Sequence, residues 1–388
     1  MGLQAACRRR LYIAGRPPSK DRLLPASTFQ PTAACLALAL ALVSCGGGGA
    51  GAGAAGTAPG DPSSLSAADL AVLIAEGDAT SEAIGRAYQL ARGVPEANMI
   101  RVAVDGRADA IGADAFNVLK AAIDARLPAA VQATLVTWTR PSRVMGACSM
   151  GLSSALALGY EARYCGGCVA TPASAYYNSN SRQPWAELRI RPSMMLGAAT
   201  LAEATALIAR GLAAEGQQSA GGSGAQGWLV RTSDAGRSVR FDDFVALAAT
   251  PTPGLTLHVI DNSAGTGSDA VFDQRNILFY FTGLTNVPQI ATNTYLPGAV
   301  ADHLTSYAGL LPDGLGQMTV LDWLQAGLTG SYGTVEEPCN YPQKFPRASV
   351  LVERYRRGDT LIEAYWKSVQ WPGQGLFVGE PLARPWAR

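Results

Sequence analysis

The chain has 388 residues, 48% of them hydrophobic and 16% charged, and its 31 Lys and Arg stand against 30 Asp and Glu. The first 44 residues hold six of the basic side chains and one of the acidic ones, so the rest keeps 25 against 29, a net charge of −4. That argues against a nucleic-acid partner, which needs a basic face. It leaves ample chain for a large buried core.

The N-terminus has three parts. Arg8, Arg9, Arg10, Arg16, Lys20 and Arg22 form a basic region opposed only by Asp21. An apolar run of eleven residues, 33–43, follows. It would make about 16 Å of helix, too short for a membrane span and suited to a signal-peptide core. Leu42-Val43-Ser44-Cys45 then resembles the lipobox of bacterial lipoproteins. By that resemblance residues 1–44 are removed and Cys45 is acylated, becoming residue one of the mature chain. Two acyl chains suffice for durable anchoring where one does not. Gly46 stands where Asp would signal inner-membrane retention, so the resemblance implies an outer-membrane address. Residues 45–66, rich in Gly, Ala and Pro, read as a flexible tether.

Leu70-Ala71-Val72-Leu73-Ile74-Ala75 is a continuous apolar run that suits a buried strand. A helix is expected over 81–92, with Gly93 where a C-cap wants glycine. Residues 99–104 read as a second strand. Phe116, Leu119, Ile123 and Leu127 recur at helical spacing, and 133–138 read as a third strand. Strand and helix in this alternation predict a parallel sheet with crossover helices. Residues 140–192 show no clear periodicity apart from a short helix over 153–160. A long Ala-rich helix is expected over 194–214, then a loop over 217–227. Strands follow at 228–232, 255–260, 276–281 and 328–332, with helices at 241–248, 319–326 and 360–370. The reading is one α/β domain, 67–388, with a mostly parallel sheet sandwiched by helices. It has a first half (67–139), an irregular Cys-containing insertion (140–192) and a second half (193–388). No apolar run after the signal approaches the length of a membrane span. Gly265-Thr266-Gly267 and Gly330-Ser331-Tyr332-Gly333-Thr334 lack the glycine and lysine of nucleotide loops, so no cofactor is expected.

Two resemblances enter in the second half. The blocks 297–306, 330–342 (Ser331-Tyr332-Gly333-Thr334-Val335-Glu336-Glu337-Pro338-Cys339-Asn340-Tyr341-Pro342 within it) and 363–375 resemble an uncharacterised bacterial family of exported proteins. The order of elements is similar to the caspase-like fold of gingipain-type cysteine peptidases. In that group one strand ends in His-Gly and the next in the nucleophilic Cys. Here Thr282-Gly283 stands at the first place and His303-Leu304-Thr305-Ser306 at the second. The resemblance therefore implies the fold with its dyad missing, a pseudo-peptidase.

Four cysteines remain once Cys7 and Cys35 leave with the signal and Cys45 takes lipid: Cys148, Cys165, Cys168 and Cys339. An even number in an exported chain reads first as two disulfides, of three possible connectivities. Four thiolates on zinc are the alternative. Of the two histidines, His258 lies in a strand context, and His303 is the better functional candidate, with Asp302 and Ser306 near it. If 301–306 were helical, His303 and Ser306 would share a face. Catalysis would then use His303 with Cys339 or Ser306. A parallel sheet places its cleft beyond the strand C-termini, which groups Thr282, Gly283, Ser306 and Tyr332, with Glu336, Lys344, Trp366 and Lys367 as further cleft candidates. Three functions fit these residues. The first is a lipid-anchored protein that binds an unknown ligand or envelope protein without cleaving it. The second is an active hydrolase, and the third is a structural role in envelope assembly.

Overall fold

The computed structural model describes residues 64–219 and 224–388. The expected signal peptide over 1–44, Cys45 as the expected acylation site, the expected tether as far as residue 63, and residues 220–223 lie outside the described residues. β1 (Leu70–Ala75) is buried along its whole length, as an interior parallel strand must be when both faces are covered. α1 (Ala79–Arg92) opens on Asp78, which accepts the Ser81 backbone N–H at 2.8 Å, and closes on Gly93 at φ +70°. Only glycine takes that left-handed cap without a steric cost. β2 (Met99–Val102), β3 (Ala110–Gly112), α2 (Ala113–Asp124) and β4 (Ala133–Val136) follow. Phe116, Leu119 and Ile123 are the buried face of α2, and β2 and β4 flank β1, both parallel to it.

Residues 140–192 are more ordered than expected. β5 (Arg143–Met145) and β6 (Ser149–Gly151) join β3 in a small three-stranded sheet, followed by α3 (Leu152–Leu158) and α4 (Pro184–Leu188). Strands of three residues are too short to show a period. The helix expected over 194–214 is also corrected. Its first residues are β7 (Ser193–Met195), fully buried, and the helix proper is α5 (Leu201–Ala213). Thr200 and Glu203 form a capping box, and Gly197 at φ +75° turns the chain just before it. The Thr-x-x-Glu spacing is a helix-start signature that alanine content masks.

The remaining elements are β8 (Ala225–Arg231), α6 (Phe241–Ala248), β9 (Leu255–Asp261), β10 (Ile277–Thr282), β11 (Tyr295–His303), α7 (Val320–Gln325), β12 (Gly330–Thr334), α8 (Ala348–Arg356), α9 (Leu361–Ser368) and β13 (Gly375–Gly379). The conditional helix over 301–306 is replaced by the end of β11. Asp302 and His303 therefore point to opposite faces of the sheet, as neighbours in a strand do.

The main sheet has ten strands in the order β2-β1-β4-β7-β13-β12-β11-β10-β8-β9. Every neighbouring pair is parallel except β12 with β13. The strands from β2 to β13 thus run one way and those from β12 to β9 the other. The central strands β7, β13 and β12 are buried along their whole length, and Trp323, Trp366, Tyr280, Phe279 and Phe281 are fully buried in the core. Leu65 is buried too, and its N–H donates to Glu363 Oε2 at 3.1 Å. Packed structure therefore begins ahead of residue 67. Among the described residues no helix is long and apolar enough to cross a membrane.

Candidate functional site

The four cysteines of the domain form two pairs, Cys148–Cys165 and Cys168–Cys339, with Cα separations of 5.8 and 4.9 Å. This selects one of the three connectivities. Both bonds engage the 140–192 segment, and the second ties it to the loop after β12. The pairing leaves no thiolate for the four-sulfur zinc alternative, although the Glu336 carboxylate lies within 4.8 Å of the Cys148 and Cys165 sulfurs. Glu336 Oε2 instead accepts the Ser149 backbone N–H at 2.9 Å. Lys344, fully buried, donates to the Gly167 carbonyl. Burial pushes its ammonium down to about 8, against the opposing pull of Glu336 and Glu337.

His303 is 1% exposed. Its Nδ1 accepts the Trp323 indole N–H at 2.9 Å, and its Nε2 lies 3.1 Å from the Met318 carbonyl. Those partners require a neutral ring with its proton on Nε2. Desolvation lowers its pKa to about 4. Neither nitrogen is left to take a proton from a nucleophile. Ser306 donates to Glu337 Oε2 at 2.5 Å, and Cys339 is in a disulfide. The expected grouping of His303 with Ser306 or Cys339 is therefore not made: each of the three has a different partner. The physical reason is the strand. It aims His303 into the helix layer with α7 and ends before Ser306.

Asp302 occupies the other face. It is fully buried, and its Oδ1 lies 2.5 Å from Arg240 Nη1. Arg240 also donates to the Thr282 carbonyl (2.7 Å) and the Pro346 carbonyl (3.1 Å). One guanidinium thus joins the ends of β10 and β11 to the segment before α8. Desolvation lifts the Asp302 carboxyl to about 6 despite Arg240. Two polar atoms of this ion pair have no partner, Asp302 Oδ2 and Arg240 Nε, and the nearby Tyr365 Oη has none either. Beside Arg240 opens a cavity of 210 Å³ lined by Tyr177, Val239, Asp243, Phe345 and Arg347, among others. Arg240, the hub of this arrangement, carried no sequence signal beyond its place ahead of a helix.

The remaining cleft candidates separate. The strands ending at Thr282, His303 and Thr334 are parallel, so Thr282, Gly283, Ser306 and Tyr332 do come to one end of the sheet. A Cβ on Gly283 would meet the Arg237 carbonyl oxygen at 1.9 Å, so glycine is required by close approach. Tyr332 is buried, with its hydroxyl on the Lys344 carbonyl at 2.6 Å. Trp366 and Lys367 are corrected to core. Trp366 stacks on Phe377 with ring centroids 4.4 Å apart and donates to the Ser193 carbonyl. Lys367 is buried between Asp359 and Glu363. His258 lies on edge strand β9, stacked on Trp228 at 4.3 Å. Compared with protein-family models, with curated proteins and with solved structures, the chain matches none.

The two adjacent buried groups make a pH prediction. His303, held below its ordinary value of 6.5, contributes stability that grows as pH rises from about 4 to 6.5. Asp302, held above its ordinary value of 3.8, works the other way: stability falls as pH rises from about 4 to 6. Each slope amounts to about 3 kcal/mol across its window, so in the native chain the two nearly cancel. Asp302→Asn should make the gain in stability from pH 4 to 6.5 about 3 kcal/mol larger than in the native chain, and His303→Gln about 3 kcal/mol smaller. Urea unfolding at both pH values reads this out, and variants running parallel to the native chain would contradict it.

Proposed function

We propose that the chain is a membrane-anchored lipoprotein that binds a ligand without cleaving it, on a caspase-like scaffold whose catalytic pair is absent. The observation that carries this is the state of His303. Both its ring nitrogens are held by Trp323 and Met318, while Cys339 is bonded to Cys168. A cysteine peptidase needs a thiolate beside an available base, and among the described residues every cysteine is in a disulfide and His303 has both nitrogens engaged. The caspase-like reading is supported by the run of parallel strands β9-β8-β10-β11-β12, with Thr282-Gly283 where the peptidase pattern has His-Gly. The antiparallel pairing of β12 with β13 is what two joined halves would need. The anchor is supported by the lipobox at Cys45 and an address on the outer membrane by Gly46.

Two measurements test the reading. A broad peptidase and esterase screen of the native chain, His303→Ala and Ser306→Ala is expected to show no turnover in any of them. Turnover in the native chain that is lost in either variant would establish the hydrolase instead. Mass spectrometry of the purified mature protein is expected to find an acylated Cys45 as its first residue. A different N-terminus, or no acyl mass, would remove the anchor.

A further inference from the structure

We propose that the free edge of β9 is an interface at which two copies of the chain pair about a two-fold axis, joining their sheets into one. β9 closes one side of the ten-stranded sheet and pairs only with β8, residue for residue over Leu255–Asp261 without a register shift. Asn262 donates its N–H to the Arg231 carbonyl of β8 at 2.9 Å. Backbone groups alternate sides along a strand. His258 and Ile260 therefore also turn theirs to β8, and Leu257, Val259 and Asp261 turn theirs outward. No strand among the described residues meets them. Sheets usually blunt such an edge with shortness, charge, proline or a bulge. The opposite edge, β2, follows that rule: it has four residues and exposes Arg101. β9 has seven residues, no proline and no charge before Asp261, and it leaves Val259 38% exposed. An unguarded edge of this kind is a template for strand addition.

The strand that fits this edge best is β9 itself. Two copies running antiparallel and centred on His258 overlap all seven residues. Leu257 then exchanges its outward backbone groups with Val259 of the second copy, and Val259 does the same with Leu257, so apolar side chains lie opposite each other. On the other face Thr256 lies opposite Ile260. Asp261 falls opposite Leu255, so no charge faces a like charge. The two His258 backbones are turned away from the junction and make the closer, non-hydrogen-bonded pair. Each ring is already stacked on its own Trp228 at 4.3 Å, which sets an aromatic row across the junction. The register is specific. Moving the centre to Thr256 puts Pro253, which has no N–H, opposite Val259, and moving it to Ile260 puts Asp261 there. A two-fold contact of this kind uses the same patch on both copies and closes at a dimer.

The test is sedimentation equilibrium of the full mature chain in density-matched detergent, which reads the protein mass alone. The native chain is expected at twice the monomer mass. Val259→Lys, which places a charge on the edge as guarded strands do, is expected at the monomer mass with its circular dichroism unchanged. His258→Cys is expected to link two copies by a disulfide without reductant, because Cα atoms about 4.5 Å apart permit it. Val118→Cys, 72% exposed on α2 and away from the edge, is expected to give no such link. A monomeric native chain would leave the edge to an extended segment of another protein and would overturn the proposal. A dimer that survives Val259→Lys, or no link through His258→Cys, would overturn it as well.

Discussion

Replacing Cys168 and Cys339 together with alanine is expected to lower the stability of the chain by about 5 kcal/mol, and replacing Cys148 and Cys165 by about 3 kcal/mol. The difference comes from loop length. The first pair spans 171 residues and the second 17. A cross-link that closes a longer loop removes more freedom from the unfolded chain. The longer bridge also fixes Cys339 and Asn340, which hold left-handed backbone at φ +51° and +54°, between β12 and α8. Guanidinium unfolding of the two double variants, without reductant, measures both. Equal losses, or a larger loss for the shorter loop, would contradict the account. Titration of the native domain for free thiols is expected to find none.

The second large effect concerns Lys367. Its ammonium is fully buried, 2.9 Å from Asp359 and 3.6 Å from Glu363, both buried as well. Arg182 reaches Asp359 from the edge at 2.5 Å. Lys367→Met leaves two carboxylates facing each other with one partly exposed cation, and should cost about 3–5 kcal/mol. Burial and the neighbouring Asp359 already push the Glu363 carboxyl up, with Lys367 opposing them. Adding Glu363→Gln to Lys367→Met should therefore recover part of the loss. The amide oxygen can still accept from Thr360 and Leu65, while one buried charge is gone. A double variant no more stable than Lys367→Met would show that the carboxylate pair is not the source of the cost.

The sequence made the outer part of this cluster visible and its meaning invisible. Glu363 is three residues after Thr360, a capping box, and Lys367 one turn later. The pattern is that of a surface helix, and Trp366 with Lys367 reads as part of a cleft. In the structure α9 is buried on all sides: α8 and β13 pack on it from nearby in the chain, and the segment around Tyr176, whose Asn178 N–H donates to the Lys367 carbonyl, covers it from far away in sequence. The buried strands β1 and β10 were legible, since a continuous apolar run has few other uses. β7 was not, because its three residues merge into an apolar, Ala-rich stretch. The disulfides were legible as a count but not as a connectivity.

For the site, the ends of three parallel strands lie at one end of the sheet, with Thr282 closing β10 and Ser306 just past β11. His303 was misread because one residue of register decides which face of β11 it takes. Its neighbour Asp302, considered only as its companion, is the residue that meets Arg240. Nothing between positions 240 and 302 announces that contact. It depends on Arg240, just ahead of α6, reaching the ends of β10 and β11.

The most direct test of the central claim is the protonation of His303 itself. Two-dimensional ¹⁵N–¹H NMR of the imidazole nitrogens, followed across a pH titration with His258→Gln for assignment, reports both tautomer and pKa. The account predicts a neutral ring protonated on Nε2 that resists protonation until about pH 4. A ring that titrates near its ordinary value, or one protonated on Nδ1 at neutral pH, would leave a nitrogen free to act as a base and would contradict it.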